Sequence, residues 1–306
     1  MSRRVWFIYL LAVAIYISLS FLAPVDSAVL ERYNISTTQL ALLRLTVVLP
    51  LVAIWFAAFY GYDKFRNYAE VIQESPDGKA FVHIANGLGV LALSLPATSI
   101  VSSVFDLLTR DSEGALPSTT IAANYLAVAL ALAAFWFLYK GSKMLLRSIA
   151  PRADQKPFYN ATLFAIAVLA VVYTYFTFQN PVRRVPTEPI EEATYYLPDP
   201  LILVTIVVPY LLIWYLGLRS AAFIAEYARS VKGILYKQVL GFLAKGLVAI
   251  ILLSITLQFL GNFATWFGAL SLAPILVIVY LLLIAIAVGY AYVAAGAKKL
   301  QKIEEV

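Results

Sequence analysis

The chain has 306 residues, of which 62% are hydrophobic and only 13% are charged, whereas soluble domains contain about 45–50% apolar and about 25% charged residues. A soluble fold could not bury this much apolar surface, so the composition predicts a polytopic membrane protein. The absence of cysteine excludes disulfides, iron–sulfur clusters and cysteine nucleophiles, and the single histidine excludes bis-histidine haem. We therefore expect no resident metal ion and no cofactor.

Eight apolar segments are long enough to cross a bilayer, which takes about 20 residues of helix. They lie at about residues 5–24, 38–60, 80–107, 119–139, 158–178, 200–218, 239–262 and 268–294. The predicted fold is thus all-α, with eight transmembrane helices.

The positive charges are distributed unevenly between the predicted loops. If the N-terminus is cytoplasmic, seventeen Lys and Arg residues fall on the inner side and four in the outer loops. The positive-inside rule then predicts a multi-pass protein of the cell membrane with both termini in the cytoplasm. The first segment could instead be a secretory signal cleaved near Ala28, but its similarity to the fifth segment favours a retained helix.

An internal repeat runs through the sequence. The stretch VVLPLVAIWF at residues 47–56 returns as IVVPYLLIWY at residues 206–215, an offset of 159 positions. The offset is 157 for the first helix and 155 for the last helix of each half, and the outer loop DSEGALPSTT absorbs the change. This register predicts two four-helix units, residues 1–150 and 151–306, related by a pseudo-two-fold axis along the membrane normal.

Each unit carries a proline in its second helix and a basic, amphipathic stretch after it. Pro50 and Pro209 occupy equivalent positions, where a proline bends a helix and acts either as a hinge or as fixed shaping. The stretches that follow, DKFRNYAEVIQESPDGK and RSAAFIAEYARSVKGILYKQ, predict either a helix at the membrane interface or a solvated extension of the second helix.

Two polar stripes stand out within the apolar segments. The stripe on the third helix comprises Asn86, Ser94, Thr98, Ser99, Ser102, Ser103 and Asp106. The stripe on the seventh helix comprises Ser254, Gln258 and Asn262, with Lys245 at the repeat position of Asn86. Because polar groups facing lipid are costly, we expect both stripes at the interface between the halves. There they line a path for a small polar solute, or they pack helices together.

Other ionisable side chains in or near the spans have simpler interpretations. Arg44 lies shallow in the second helix and Asp106 lies near the outer end of the third, so the two could pair or Arg44 could snorkel to the interface. Lys245 is expected to snorkel to the cytoplasmic face. His83 is expected at the inner interface rather than as a proton carrier, although it titrates in the range of a pH sensor.

The motifs of catalysis are missing from the sequence, which holds no nucleophile motif, phosphate-binding loop, acidic metal cluster or paired intramembrane carboxylates. We therefore expect no enzyme activity. The proline-rich outer loop 179–199 is compatible with a strap over the outer surface or with a partner site. The expected partners are membrane lipid and a membrane protein or a second copy of the chain, and not nucleic acid.

Three stretches carry a resemblance to other proteins: TYYLPDPLILVTIVVPYLLIWYLGL, the following VKGILYKQ, and the ending GAKKLQKIEEV. They resemble uncharacterised multi-spanning membrane proteins of small-genome, candidate-phyla bacteria, mainly over the second half. The resemblance implies a bacterial inner-membrane protein and carries over no functional residue.

The sequence favours two functions over a third. The duplicated unit, the central prolines and the polar stripes favour transport or permeation of a small solute or ion between the two repeats. The alternative is a non-catalytic membrane scaffold or assembly subunit, in which the stripes only pack helices. An enzyme acting on lipid is a third and weaker hypothesis.

The sharpest expectation from the sequence is an ion pair between Arg44 and Asp106. Removing one partner of a partly buried pair is costlier than removing both, because a lone charge must be neutralised or rehydrated. Asp106→Asn should therefore lower the thermal stability in detergent more than the double change Arg44→Leu with Asp106→Thr, which copies the second half. If the two single changes add in the double variant, the residues do not interact.

Overall fold

The structure is a computed structural model of the whole chain. It describes residues 1–22, 36–75, 77–108, 116–149, 156–179, 207–231, 233–266 and 272–304. These residues form eight α-helices and contain no β-strand, as the sequence predicts for an all-α membrane protein.

The helices are numbered in chain order. They are α1 (Arg3–Leu22), α2 (Thr37–Val71), α3 (Gly78–Leu108), α4 (Leu116–Ile149), α5 (Lys156–Gln179), α6 (Val208–Ser230), α7 (Ile234–Trp266) and α8 (Leu272–Glu304). Each overlaps one of the eight predicted apolar segments. The overlap is smallest for α6, which shares only residues 208–218 with the predicted segment 200–218 among the described residues, so that Pro209 lies in its first turn and not in its middle. Within the described residues, seven of them are long and apolar enough to cross a membrane, and the apolar part of α5, Leu163–Tyr175, is shorter.

Helix α2 shows why several helices are longer than the apolar segments. It begins at a capping box, in which the Ser36 hydroxyl accepts from the Gln39 amide and the Gln39 side chain accepts from the Ser36 amide. It then continues for 35 residues, because no glycine pair or proline interrupts it after Pro50. The basic stretch after each second helix is therefore largely a continuous extension of α2 and α6.

The extensions are not merely solvated. Phe65 and Tyr68 of α2, and Phe223 and Tyr227 of α6, are buried. Their aromatic faces form part of the core, and the sequence had left open only a solvated extension or an interfacial helix.

The helices pack in a regular pattern. Helix α3 packs between α2 and α4, and α7 packs between α6 and α8. Helix α1 lies on α2 and α3, while α5 lies on α6 and, less extensively, on α7. The two halves of the chain are joined by contacts of α2 with α8 and of α4 with α6.

Side-chain burial is concentrated at one end of the bundle, which we call the junction end because α2 leads to α3 there and α6 leads to α7. On α3, nine of the thirteen residues at 80–92 are buried, whereas none of the eight residues at 97–104 is. The described part of the molecule is thus tightly packed at the junction end and looser toward the other.

Glycine allows the closest helix contacts. A Cβ atom added to Gly87 of α3 would lie 2.6 Å from Cγ of Leu138 and 2.8 Å from the carbonyl oxygen of Ala134 in α4. In the same way, a Cβ atom added to Gly246 of α7 would lie 2.9 Å from the carbonyl oxygen of Gly289 in α8. Such small residues let helix backbones approach closely where lipid supplies no hydrophobic driving force between helices.

We expect Gly87→Ala to destabilise the protein, because the new methyl group must push α3 and α4 apart. Overpacking of this kind costs about 1–3 kcal/mol. Gly241→Ala is the matched control, since a Cβ atom there meets nothing within 4 Å and alanine favours a helix interior by about 1 kcal/mol. Thermal unfolding in detergent measures both, and equal melting temperatures would contradict a close α3–α4 contact at Gly87.

Candidate functional site

Four hydroxyls of the polar stripe on α3 donate to carbonyl groups of their own helix. The Ser94 hydroxyl donates to the Leu91 carbonyl at 2.8 Å, and Thr98 donates to the carbonyl of Ser94 at 2.8 Å. The hydroxyls of Ser99 and Ser103 donate in the same way to carbonyls four residues earlier. Hydroxyls that bond backwards along a helix keep their oxygen lone pairs available to water, a solute or another helix.

The exposure of the stripe varies along α3. Ser94, Thr98, Ser99 and Ser103 are half-buried, whereas Ser102 is exposed. Asn86 is also exposed, at the tightly packed end. The stripe therefore does not lie in the buried core of the described molecule.

On α7, Ser254 has a packing role. Its hydroxyl oxygen accepts a hydrogen bond from Nε1 of Trp214 at 3.3 Å, which joins α7 to α6. The side chains of Gln258 and Asn262 lie outside the part of the chain that the structure describes. Helices α3 and α7 are not among the pairs that pack extensively within the described residues, so the expected meeting of the two stripes stays a prediction.

The charged candidates lie on three helices, α2, α3 and α7. Arg44 is half-buried on α2, and the side chain of Asp106 lies outside the described residues, so their ion pair stays a prediction. Lys245 is exposed on α7. His83 is half-buried, and its ring stacks at 6.1 Å on Phe137 of α4, which is the contact of a packed side chain.

Two buried charges escaped the sequence analysis. Asp63 of α2 is 1% exposed and accepts from the Ser2 amide at 2.9 Å, and the Met1 amino group lies 3.6 Å from its other oxygen. Arg219 of α6 is 4% exposed, with its guanidinium 4.6 Å from the centre of the Phe223 ring. Both side chains follow an apolar segment closely and were counted with the solvated loops. Only the depth of packing at the junction end distinguishes them from surface charges.

A polar and aromatic cluster joins the two halves at the junction end. We call Tyr68, Asp77, Phe81, Tyr227 and Tyr236 the junction cluster. The Tyr227 hydroxyl donates to the Asp77 carboxylate at 2.5 Å, and the Ser148 hydroxyl donates to its other oxygen at 2.7 Å. One carboxylate from the α2–α3 turn therefore holds both α6 and the end of α4.

The aromatic rings complete this cluster. The ring of Tyr236 lies 6.4 Å from that of Tyr68, 5.9 Å from Phe81 and 6.2 Å from Tyr227. The sequence repeat had drawn attention to Tyr68 and Tyr227 but not to Asp77, because a carboxylate in a turn reads as a solvated residue.

A groove opens on the side of the second half. It has a volume of about 660 Å³ and is bounded by α5, α6 and α7, with Tyr292 of α8. Six of its eleven lining residues are alanines, and Lys245 is its single charged residue. The structure thus places Lys245 of α7 in an apolar groove bounded by α5 and α6.

Within the described ranges, no three His, Asp or Glu side chains are grouped in a way that would hold a metal ion. No known protein family, characterised protein or solved structure matches the chain. Function must therefore be argued from the residues themselves.

We expect the bond between Tyr227 and Asp77 to stabilise the contact between the halves. Hydrogen bonds to charged groups contribute about 1.5–3 kcal/mol, so Tyr227→Phe and Asp77→Asn should each lower the free energy of unfolding. Because they remove the same interaction, the double variant should lose less than the sum of the two. Additive losses in a denaturation series in detergent would show that the two side chains are not coupled.

Proposed function

We propose that the chain transports, or lets permeate, a small polar solute or ion along a polar path between two repeated halves. The observation that carries this proposal is the position of the hydroxyl stripe: Thr98, Ser99, Ser102 and Ser103 all belong to the section of α3 in which no side chain is buried. A stripe that served only as packing would be expected in the core.

The repeat itself is supported by the helix contacts. Every extensive contact in one half has a counterpart in the other, and the two contacts between the halves, α2 with α8 and α6 with α4, also correspond under the repeat. Equivalent side chains meet at equal distances: the rings of Tyr16 and Trp55, and those of Tyr173 and Trp214, are both 5.0 Å apart. Carriers built from parallel repeats place the substrate site between their halves.

The junction cluster supplies the closed end of such a path. Tyr227, Asp77 and the surrounding rings join the halves there through hydrogen bonds and ring contacts. We propose that this state is closed at the junction end and looser at the other, and that the junction end faces the cytoplasm, as the charge distribution predicts. Alternating access would then require the junction cluster to separate.

A scaffold role is the second candidate, and one observation favours it. Nε1 of Trp214 donates to the Ser254 hydroxyl, a side-chain hydrogen bond that joins α6 to α7. At least this member of the α7 stripe therefore packs helices together, as a scaffold role requires.

Cysteine accessibility separates the two functions, because the chain contains no cysteine. Ser94→Cys and Thr98→Cys test the stripe, and Leu93→Cys is the control, since Leu93 is 46% exposed at the same depth. A membrane-impermeant thiol reagent reacts with thiolate, which forms in water and not in lipid. We expect both stripe variants to react at least about tenfold faster than the control.

The reagent should act from the side opposite the junction end. Equal and slow reaction at all three positions would refute a hydrated path and favour the scaffold. Size-exclusion profiles of the three variants establish that each one is folded.

A further inference from the structure

The groove beside α5 contains a cation without a counter-charge. The described residues form no hydrogen bond and no ion pair with the Lys245 ammonium group, although the side chain lies in a wall made of alanine, leucine and valine. Glu226, which follows Ala225 of the groove wall on α6, is bonded to Arg229 at 3.1 Å. No residue in the described part of the protein therefore neutralises the charge of Lys245.

The position of Lys245 along α7 indicates from which end of the bundle an anion approaches. Lys245 is eleven residues from Ile234, the first residue of α7, or about 16 Å along the axis. Helical side chains lean toward the N-terminal end, so we expect the ammonium group to point toward the junction end of the bundle. Ala249 and Leu252, which also line the groove, lie farther along α7 in the opposite direction.

We propose that this groove binds an anionic phospholipid, with its phosphate at Lys245 and an acyl chain along the alanine wall. An intramembrane charge needs a partner, and basic pockets between transmembrane helices recognise anionic head groups. The wall has the apolar surface that an acyl chain requires. The groove has a volume of about 660 Å³, which lies within the usual range of ligand pockets. The lipid comes from the leaflet on the side of the junction end.

The corresponding surface of the first half is differently built. At the repeat offset of 159, Leu218, Ala221 and Ala225 correspond to Phe59, Tyr62 and Arg66. The three side chains of the first half are larger than those of the groove wall. Helix α1 also packs more extensively on α3 than α5 does on α7. The lipid site is thus a property of the second half, and it is independent of any path along α3.

The test compares lipids on the purified protein in detergent. Thermal unfolding is measured with phosphatidylglycerol, with phosphatidylcholine of the same acyl chains, and with soluble glycerol phosphate. A ligand that binds only the folded protein raises its melting temperature. We expect phosphatidylglycerol to raise it by at least about 3 °C more than phosphatidylcholine does, and glycerol phosphate to have no effect.

Three variants locate the site. Lys245→Gln should abolish the difference between the two lipids, whereas Lys245→Arg should keep it. Ala222→Leu, which narrows the groove, should reduce the effect of both lipids. Lys245 is exposed, so the Gln and Arg variants are expected to fold even if the groove-filling variant does not.

Each other result overturns the proposal. Equal effects of the two lipids on the unaltered protein would exclude recognition of an anionic head group. A difference that survives in Lys245→Gln would assign it to other cations at the surface. Stabilisation by glycerol phosphate equal to that by the lipid would identify a free phosphate as the ligand.

Discussion

Close backbone approach between neighbouring helices is the constraint on which the rest of this structure depends. Lipid is as apolar as the helix surfaces, so helices associate through van der Waals contact and a few hydrogen bonds. Gly87 and Gly246 permit that contact in α3–α4 and α7–α8. Once these pairs are fixed, α2 and α6 are held against them, and the remaining surfaces of the pairs join the two halves.

The uneven packing along the helices has consequences for motion. At the junction end, two buried charges, three tyrosines and the close helix contacts all restrict the backbone. Among the described residues, the other end has fewer buried side chains, and regions with few buried contacts open at lower free energy. A conformational change in this protein should therefore begin at the loose end and reach the junction cluster last. Pro50, inside α2, and Pro96, inside α3, lie between the two ends and weaken the helix hydrogen bonding there.

Sequence patterns predicted the elements of the fold well and the contacts of single side chains poorly. The eight helices follow from apolar runs of membrane length, whereas the capping box of Ser36 and Gln39 at the start of α2 is a contact that the structure adds. The burial of Asp63 and Arg219 could not be predicted, because it depends on how far the packed core extends beyond the apolar segments. The groove at Lys245 was equally hidden, since its walls come from four helices that are distant in sequence.

Trp55 and Trp214, which correspond under the proposed repeat, differ in their hydrogen bonding. Trp55 and Trp214 are both fully buried against a tyrosine ring, yet only Trp214 finds a hydrogen bond, to Ser254, within the described residues. The first half has Leu95 at that place, so its Trp55 Nε1 is buried without an acceptor there, at a cost of about 1–3 kcal/mol. Under the proposed repeat, the two halves therefore differ in the packing around each tryptophan. They differ again beside α5, where a groove opens, whereas larger side chains occupy the corresponding positions of the first half.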